Sequence, residues 1–525
     1  MIGLLSRFRA NAPLAIVILS VFLFSLYFSV FGILRMHKLY AHYFDLGIMH
    51  HATYNTFMGL KTGDFSRILE ITDPHESLSQ VKRMAIHNDI MLGILAPFYF
   101  IHEGPETLIT IQALIVAFGA FFVFHIARHV FKKFDLKDWI ACAFALSYLL
   151  YPPLQKAVNF DFHAVTMAPT FILGMYYFWT QKKYAFSFII VLLLLSTKEQ
   201  VGLVGTLFGI FIILQAMNKG HWTRLFHLPF WRTYKDHLKH ASKGEVWFGA
   251  IIFAVSLVWV IASLAIIIPA FRGEEHFGSS YYSYLISNPW SVFGVLFRYE
   301  TFHYISILLS PIGLLALLSP PHFFLSLSEF GVNILSTNGN MRNIYFHYDT
   351  AITGILFIAS IYGGRNLLHF AKRFVDSRPK LHHIARQLNM ERILIAYILI
   401  CASIYSLYLS PLPWGHHKDM GAWEKPSAKI QDVMVWKLFL ADDQMVVSST
   451  GHIAPHFTSR KRFLDFAGGY SGASYVVIDI STIGKQFQAE ETQKQYDALQ
   501  RDTRYIRIYT TNGIEVYKKF GTSLL

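Results

Sequence analysis

Apolar and polar positions follow one another along this chain in long blocks, and block length is the first structural signal. Runs rich in Leu, Ile, Val and Phe fall near 13–34, 107–131, 138–152, 164–180, 184–197, 200–217, 246–269, 302–319, 321–336, 349–365 and 392–410. A helix of about 20 apolar residues crosses the hydrocarbon core of a bilayer, so these blocks predict an all-α polytopic membrane bundle of about eleven transmembrane helices. The first run is too long for a signal-peptide core and is followed by no small-residue cleavage site, so it reads as a retained span. The apolar piece 89–101 is short for a crossing and reads as a re-entrant or interfacial helix.

Beyond residue 410 the pattern changes period. Ser427 is positioned to cap a helix with Ile430, Val433, Met434, Leu438 and Ala441 on one face. Met445–Ser449 and Tyr475–Ile480 read as strands, and 486–501 as a helix. Tyr505–Tyr509 and Ile514–Lys518 flank Asn512-Gly513, a hairpin turn signal. The chain therefore divides into a membrane domain, 1–410, with an outer loop over 35–88, and a small C-terminal soluble α/β domain, 411–525. His452, His456, Arg460 and Arg462 in that domain read as a solvated basic turn, with acceptor or partner contacts as the alternative.

Composition agrees with the membrane reading. Only 15% of the 525 residues are charged and 54% are hydrophobic, whereas a soluble domain carries about 25% charged residues. Cys142 and Cys401 both lie in apolar runs and provide no disulfide framework. The net charge of +13 suggests nucleic acid until it is located. From Pro411 onward 14 Lys/Arg meet 12 Asp/Glu, so the excess lies in short loops and nucleic-acid binding is excluded. The N-terminus and the loops at 128–137, 182–183, 219–243 and 365–392 hold most of it. By the positive-inside rule these are cytoplasmic, with the N-terminus inside and the C-terminal domain extracytoplasmic, in the inner (plasma) membrane.

Ionisable groups are costly inside lipid, so polar clusters at span ends carry the functional information. Five of them map to the outer side: Tyr43–Gly47 with His50, His51 and Asn55; His87-Asn88-Asp89; Asn159–His163; Thr197-Lys198-Glu199; and Asn338–Asp349, including Arg342, His347 and Tyr348. Asp45 opens a segment that reads as an interfacial helix, with Ile48, Met49, Ala52 and Thr56 on its side. Among these residues the metal-ligating candidates are His50, His51, Asp161 and His163, for a divalent metal ion of unknown identity.

Phe44-Asp45-Leu46-Gly47-Ile48 continuing to Asn55-Thr56 and Met58-Gly59, with Asp161-Phe162-His163, Thr197-Lys198-Glu199 and His347-Tyr348, resembles the membrane-protein family called domain of unknown function 2079. Ala454-Pro455-His456 and Tyr475–Asp479 extend the resemblance into the tail. That family is similar to the GT-C glycosyltransferases, which use polyprenyl-phosphate-linked sugars and place an acidic residue in the first outer loop. Leu46 stands where many relatives have a second acidic residue, and His50-His51 where the family often has Asp-Gln. The resemblance implies a membrane glycosyltransferase that moves a sugar from a polyprenyl-phosphate donor to a glycan, lipid or protein acceptor on the extracytoplasmic face. It implies Asp45 as the base, with Asp161 and Glu199 as further catalytic carboxylates. His163, Lys198, Arg342, His347, Tyr348, His87 and Asn55 then bind substrate. No Walker motif or nucleotide-binding glycine loop is present, consistent with a lipid-borne donor. The rival readings are a lipid or sugar transporter or flippase, which would want ionisable groups at the bilayer midplane and repeated halves, and a non-enzymatic envelope assembly protein.

Overall fold

The computed structural model describes residues 2–74, 78–218, 241–274, 276–378, 389–485 and 487–522. Among the described residues six helices are long and apolar enough to cross a membrane: Asn11–His37, Pro105–Val130, Glu199–Asn218, Lys243–Arg272, Thr350–Asp376 and Met390–Leu409. The chain is a multi-pass membrane protein. The other predicted crossings coincide with shorter helices, Lys137–Leu149, Ala168–Thr180, Tyr184–Leu195, Tyr299–Leu309 and Leu327–Leu335. Several of these continue into 3₁₀ turns, so eleven blocks of hydrophobicity yield fewer than eleven full-length helices. Much of the basic loop charge, at 219–240 and 379–388, lies outside the described residues.

Small residues set how closely the helices approach. A Cβ on Gly209 would stand 2.5 Å from the Phe253 amide nitrogen, and one on Gly205 would stand 2.2 Å from Ser256 Oγ. The helices carrying Gly205 and Ser256 therefore meet backbone to backbone, the usual packing device where lipid supplies no hydrophobic drive between helices.

After the first span the chain makes a short wide turn over Tyr43–Gly47 and then the helix Ile48–Thr62. That helix is buried on nearly all sides from Ile48 to Phe57 rather than lying with one face in water. The reason is that it is packed between the 91–100 segment and the C-terminal region. A two-stranded hairpin follows, β1 (Glu70–Thr72) with β2 (Gln80–Lys82). The piece 89–101 is a short helix, Met91–Leu95, running into a 3₁₀ turn, Ala96–Phe100.

The C-terminal region is a five-stranded mixed sheet built from β3 (Val447–Ser449), β4 (Phe463–Asp465), β5 (Tyr475–Asp479), β6 (Tyr505–Thr511) and β7 (Ile514–Lys519), in the order β4-β3-β5-β7-β6. Asn512 and Gly513 both have positive φ, 50° and 83°, as a tight β6–β7 hairpin requires. The helices are Lys429–Phe439 and Ala489–Arg501. Ser427 does not cap the first of these; Ala428 occupies that position with no side-chain cap. Val433 and Leu440 form its buried side, while Leu438 is 76% exposed. The basic turn is also corrected. Arg460 is buried and donates to the carbonyls of Leu440 (2.7 Å) and Met445 (2.9 Å), and His456 Nε2 donates to Met36 O (3.1 Å). These residues close the domain and join it to the first span; of the four only Arg462 is exposed.

Candidate functional site

Five polar segments that the sequence singled out, or their flanks, meet around one cavity of about 590 Å³. Its wall includes Asp45, His87, His163, Lys198, His347 and Tyr348. Arg83, Arg272, Phe277, Tyr281 and Phe487 complete it, the last from the C-terminal domain.

Asp45 projects from the turn Tyr43–Gly47, with its Oδ1 3.4 Å from His163 Nε2. Its neighbour Asp161 is tied down on both oxygens. Arg35 Nη1 donates to Oδ1 (2.8 Å), and the His42 amide donates to Oδ2 (2.8 Å). Arg35 ends the first span and also reaches Asn159 O (3.3 Å), so it fixes the 159–163 turn against the helix end. Burial, aided by the negative charge of Asp161, pushes the Asp45 carboxyl up to about 8, and Arg35 partly opposes this.

His163 Nδ1 donates to Asp161 O (3.0 Å), which leaves Nε2 as the lone-pair nitrogen facing Asp45. Burial pushes the His163 imidazole down to about 3. A neutral His163 and a protonated Asp45 are therefore compatible across their 3.4 Å separation. His163 also stacks on His347, with ring centroids 3.8 Å apart, and His347 packs on Tyr348 at 4.5 Å. Burial lowers the His347 pKa as well. Both imidazoles are therefore neutral, and the Tyr348 ring is tilted 35° from His347.

Basic side chains also line the chamber. Lys198 Nζ lies 5.6 Å from the Tyr348 ring centroid, and burial lowers its pKa from the ordinary lysine value. Arg272 stands over Phe277 at 5.8 Å. Arg83 is neutralised by Asp89 in a bidentate pair (3.0 and 2.8 Å). Glu199 faces away from Asp45. Its Oε1 receives His87 Nδ1 at 2.8 Å, and its Oε2 accepts the Asn88 amide at 3.1 Å.

A second hollow of about 880 Å³ adjoins the first and shares His87, Lys198, Phe277, Tyr281 and Tyr348 with it. Leu203, Val260, Leu264, Pro269, Val332 and Leu335 give it largely apolar walls. It runs between the Lys243–Arg272 and Leu327–Leu335 helices.

Other sequence candidates lie elsewhere. Arg342 Nη1 donates to Ser336 O (2.5 Å) and Asn333 O (3.3 Å), closing the end of the Leu327–Leu335 helix outside both hollows. His50 bonds Tyr99 Oη (2.7 Å) and Ser459 Oγ (2.9 Å), and His51 Nε2 bonds Lys461 O (3.3 Å). Asn55 donates to Glu70 O (3.1 Å) and accepts from Arg67 Nη2 (2.7 Å), which in turn pairs with Asp443. These three residues fasten the C-terminal domain to the helix Ile48–Thr62. Among the described residues the one grouping with metal-ligand spacing is His87, Glu199 and His276, whose ligand atoms lie within 4.8 Å of one another. Sequence reading missed Arg35, Arg83, Arg272, His276 and Phe487. Arg35 and Arg272 stand at the ends of apolar runs, where a charge reads equally well as a span boundary.

The family model for the predicted membrane proteins DUF2079 matches residues 35–516. The chain belongs to the DUF2079 family. The match begins at Arg35, the partner of Asp161, and extends through β5 and the first half of β7. No curated protein matches the sequence. Among solved structures the chain is similar to apo ArnT from Cupriavidus metallidurans, at 11% identity and TM-score 0.48, covering 90% of this chain and 93% of that one. It is also similar to the oligosaccharyltransferase AglB of Archaeoglobus fulgidus in complex with an inhibitory peptide and a dolichol-phosphate, at 12% identity and TM-score 0.39, covering 98% and 75%.

Proposed function

We propose that this chain is a GT-C-type membrane glycosyltransferase that moves a sugar from a polyprenyl-phosphate donor to an acceptor hydroxyl on the extracytoplasmic face. The observation that carries the reading is the junction of the two hollows: a polar chamber bearing Asp45 opens, past Lys198 and His87, into an apolar groove between helices. A lipid-linked sugar has the matching division, with an apolar chain, an anionic phosphate and a polar ring in series.

In this reading the lipid chain occupies the groove, the phosphate sits between Lys198 and Arg272, and the sugar reaches toward Asp45. Asp45 takes the proton of the acceptor hydroxyl as its oxygen attacks the anomeric carbon. The bond from that carbon to the phosphate oxygen breaks, and the lipid phosphate leaves with the electron pair. Lys198 and Arg272 offset its growing negative charge, the kind of fixed electrostatic stabilisation that contributes most in a water-poor site. A base whose pKa lies near working pH suits this step. Asp161 acts on the chemistry through position and charge, because Arg35 and His42 already occupy its oxygens. Glu199 orients His87 at the junction. His347 and Tyr348 shape the chamber wall. Residues 411–525 serve as an extracytoplasmic accessory domain whose contribution to the chamber is Phe487.

The test is direct. Purified full-length protein is incubated with radiolabelled polyprenyl-phosphate sugars and a mixture of envelope acceptors, and release of lipid phosphate is followed. Donor-dependent release coupled to labelled product is the expected result. Uptake of intact donor into vesicles without cleavage would replace the enzyme reading with a transporter.

A further inference from the structure

The geometry points to a divalent-cation site of the zinc class formed by His87, Glu199 and His276 where the chamber meets the groove. What the ion would do there rests on the proposed transfer reaction; whether it binds does not. His87 Nδ1 lies 2.8 Å and His276 Nε2 lies 3.5 Å from the same oxygen, Glu199 Oε1. Ligands about 2.1 Å from a tetrahedral zinc stand roughly 3.4 Å apart, and the three atoms here all lie within 4.8 Å of one another, so shifts of roughly 1 Å bring them around one ion. Two imidazoles and one carboxylate make a zinc donor set that leaves a fourth position free.

Two further observations single out this cluster. Buried His276 Nε2 has no hydrogen-bond partner among the described residues, although it is aimed at Glu199. The second oxygen of Glu199 is already held by the Asn88 amide at 3.1 Å, and the Asn88 side chain is anchored on Ser263 Oγ at 2.8 Å. An outer shell of this kind orients a ligating carboxylate. The three ligands come from separate segments, so the ion would also join the loop after the Lys243–Arg272 helix to the two loops that carry His87 and Glu199. Its open position would face the junction, beside Lys198, where a dication would neutralise charge on a departing phosphate.

The cluster carries a signature of its own. His276 Nδ1 accepts the Gly278 amide at 3.0 Å, which puts the imidazole proton on Nε2. Binding an ion at Nε2 shifts that proton to Nδ1 and breaks the Gly278 contact. The experiment uses full-length protein in nanodiscs, stripped with a chelator and titrated with Zn²⁺ alone, without any sugar donor. One saturable equivalent is expected, accompanied by faster hydrogen exchange at the Gly278 amide. H87A, E199Q and H276A should each weaken binding at least tenfold. H163A should leave it intact, because His163 is not one of the three ligands. Melting temperatures without zinc report folding of each variant. Absence of saturable binding, unchanged exchange at Gly278 in the wild type, or binding abolished by H163A but untouched by H276A would each overturn the site. Because no donor is present, these outcomes are independent of whether the protein transfers sugar.

Discussion

Asp45 and Asp161 are two carboxylates with different environments, and in the proposed reaction those environments divide the work between them. Asp161 has a guanidinium and an amide on its oxygens, whereas Asp45 has a neutral imidazole. With Asp45 held near 8, the base is protonated at acidic pH and becomes competent as pH rises. The rate kcat/KM should therefore climb from pH 6 to pH 9 with a midpoint about 8, measured on purified protein with a fixed donor. Two variants should move that midpoint in opposite directions. Removing the Asp161 charge in D161N relieves its repulsion and lowers the midpoint, while R35Q removes the favourable cation and raises it. Midpoints that stay fixed, or move together, would detach this pair from the titrating group.

At the scale of elements, the site depends on loops clamped by helix ends. The Lys198 turn follows the short helix Tyr184–Leu195, and the Met91 amide donates to Ser196 O (2.8 Å), locking that turn to the segment after His87. Val332 lines the groove between Lys243–Arg272 and Leu327–Leu335, so a larger side chain there obstructs it. V332W should raise the KM for a long-chain donor about tenfold or more, equivalent to ~1.4 kcal/mol of binding. The same variant should leave kcat with a short-chain donor within about twofold. Equal effects on both donors would show that the lipid chain lies elsewhere. Much of this level was legible in the sequence. The Asn512-Gly513 hairpin follows from local turn chemistry, and the two tail helices from their composition. β4 was missed because three residues, Phe463–Asp465, form a strand only through parallel pairing with β3, a non-local contact. The local antiparallel hairpin β1–β2 escaped because each of its strands is only three residues long.

For the whole molecule, periodicity exposed the membrane class, and outer-loop polarity exposed Asp45, His87, His163, Lys198, His347 and Tyr348 as candidates that the fold brings to one wall. Periodicity gave no means of separating those from His50, His51 and Asn55. The latter are equally polar and sit on the same helix, but they face the C-terminal domain. That distinction depends on tertiary packing. Orientation is open to a separate test: single cysteines at Thr62 and Ser481, both exposed, should react with an impermeant thiol reagent from outside intact cells, and one at Ser242 should not. The reverse pattern would turn the chamber toward the cytoplasm. The central claim is that Asp45 deprotonates the acceptor, and one measurement addresses it most directly: sugar transfer by purified D45N with a radiolabelled polyprenyl-phosphate donor. A general base contributes about 10²–10⁴-fold, so transfer should fall at least about a hundredfold while donor binding and melting temperature stay near wild type. Transfer near the wild-type rate by folded D45N would contradict the account.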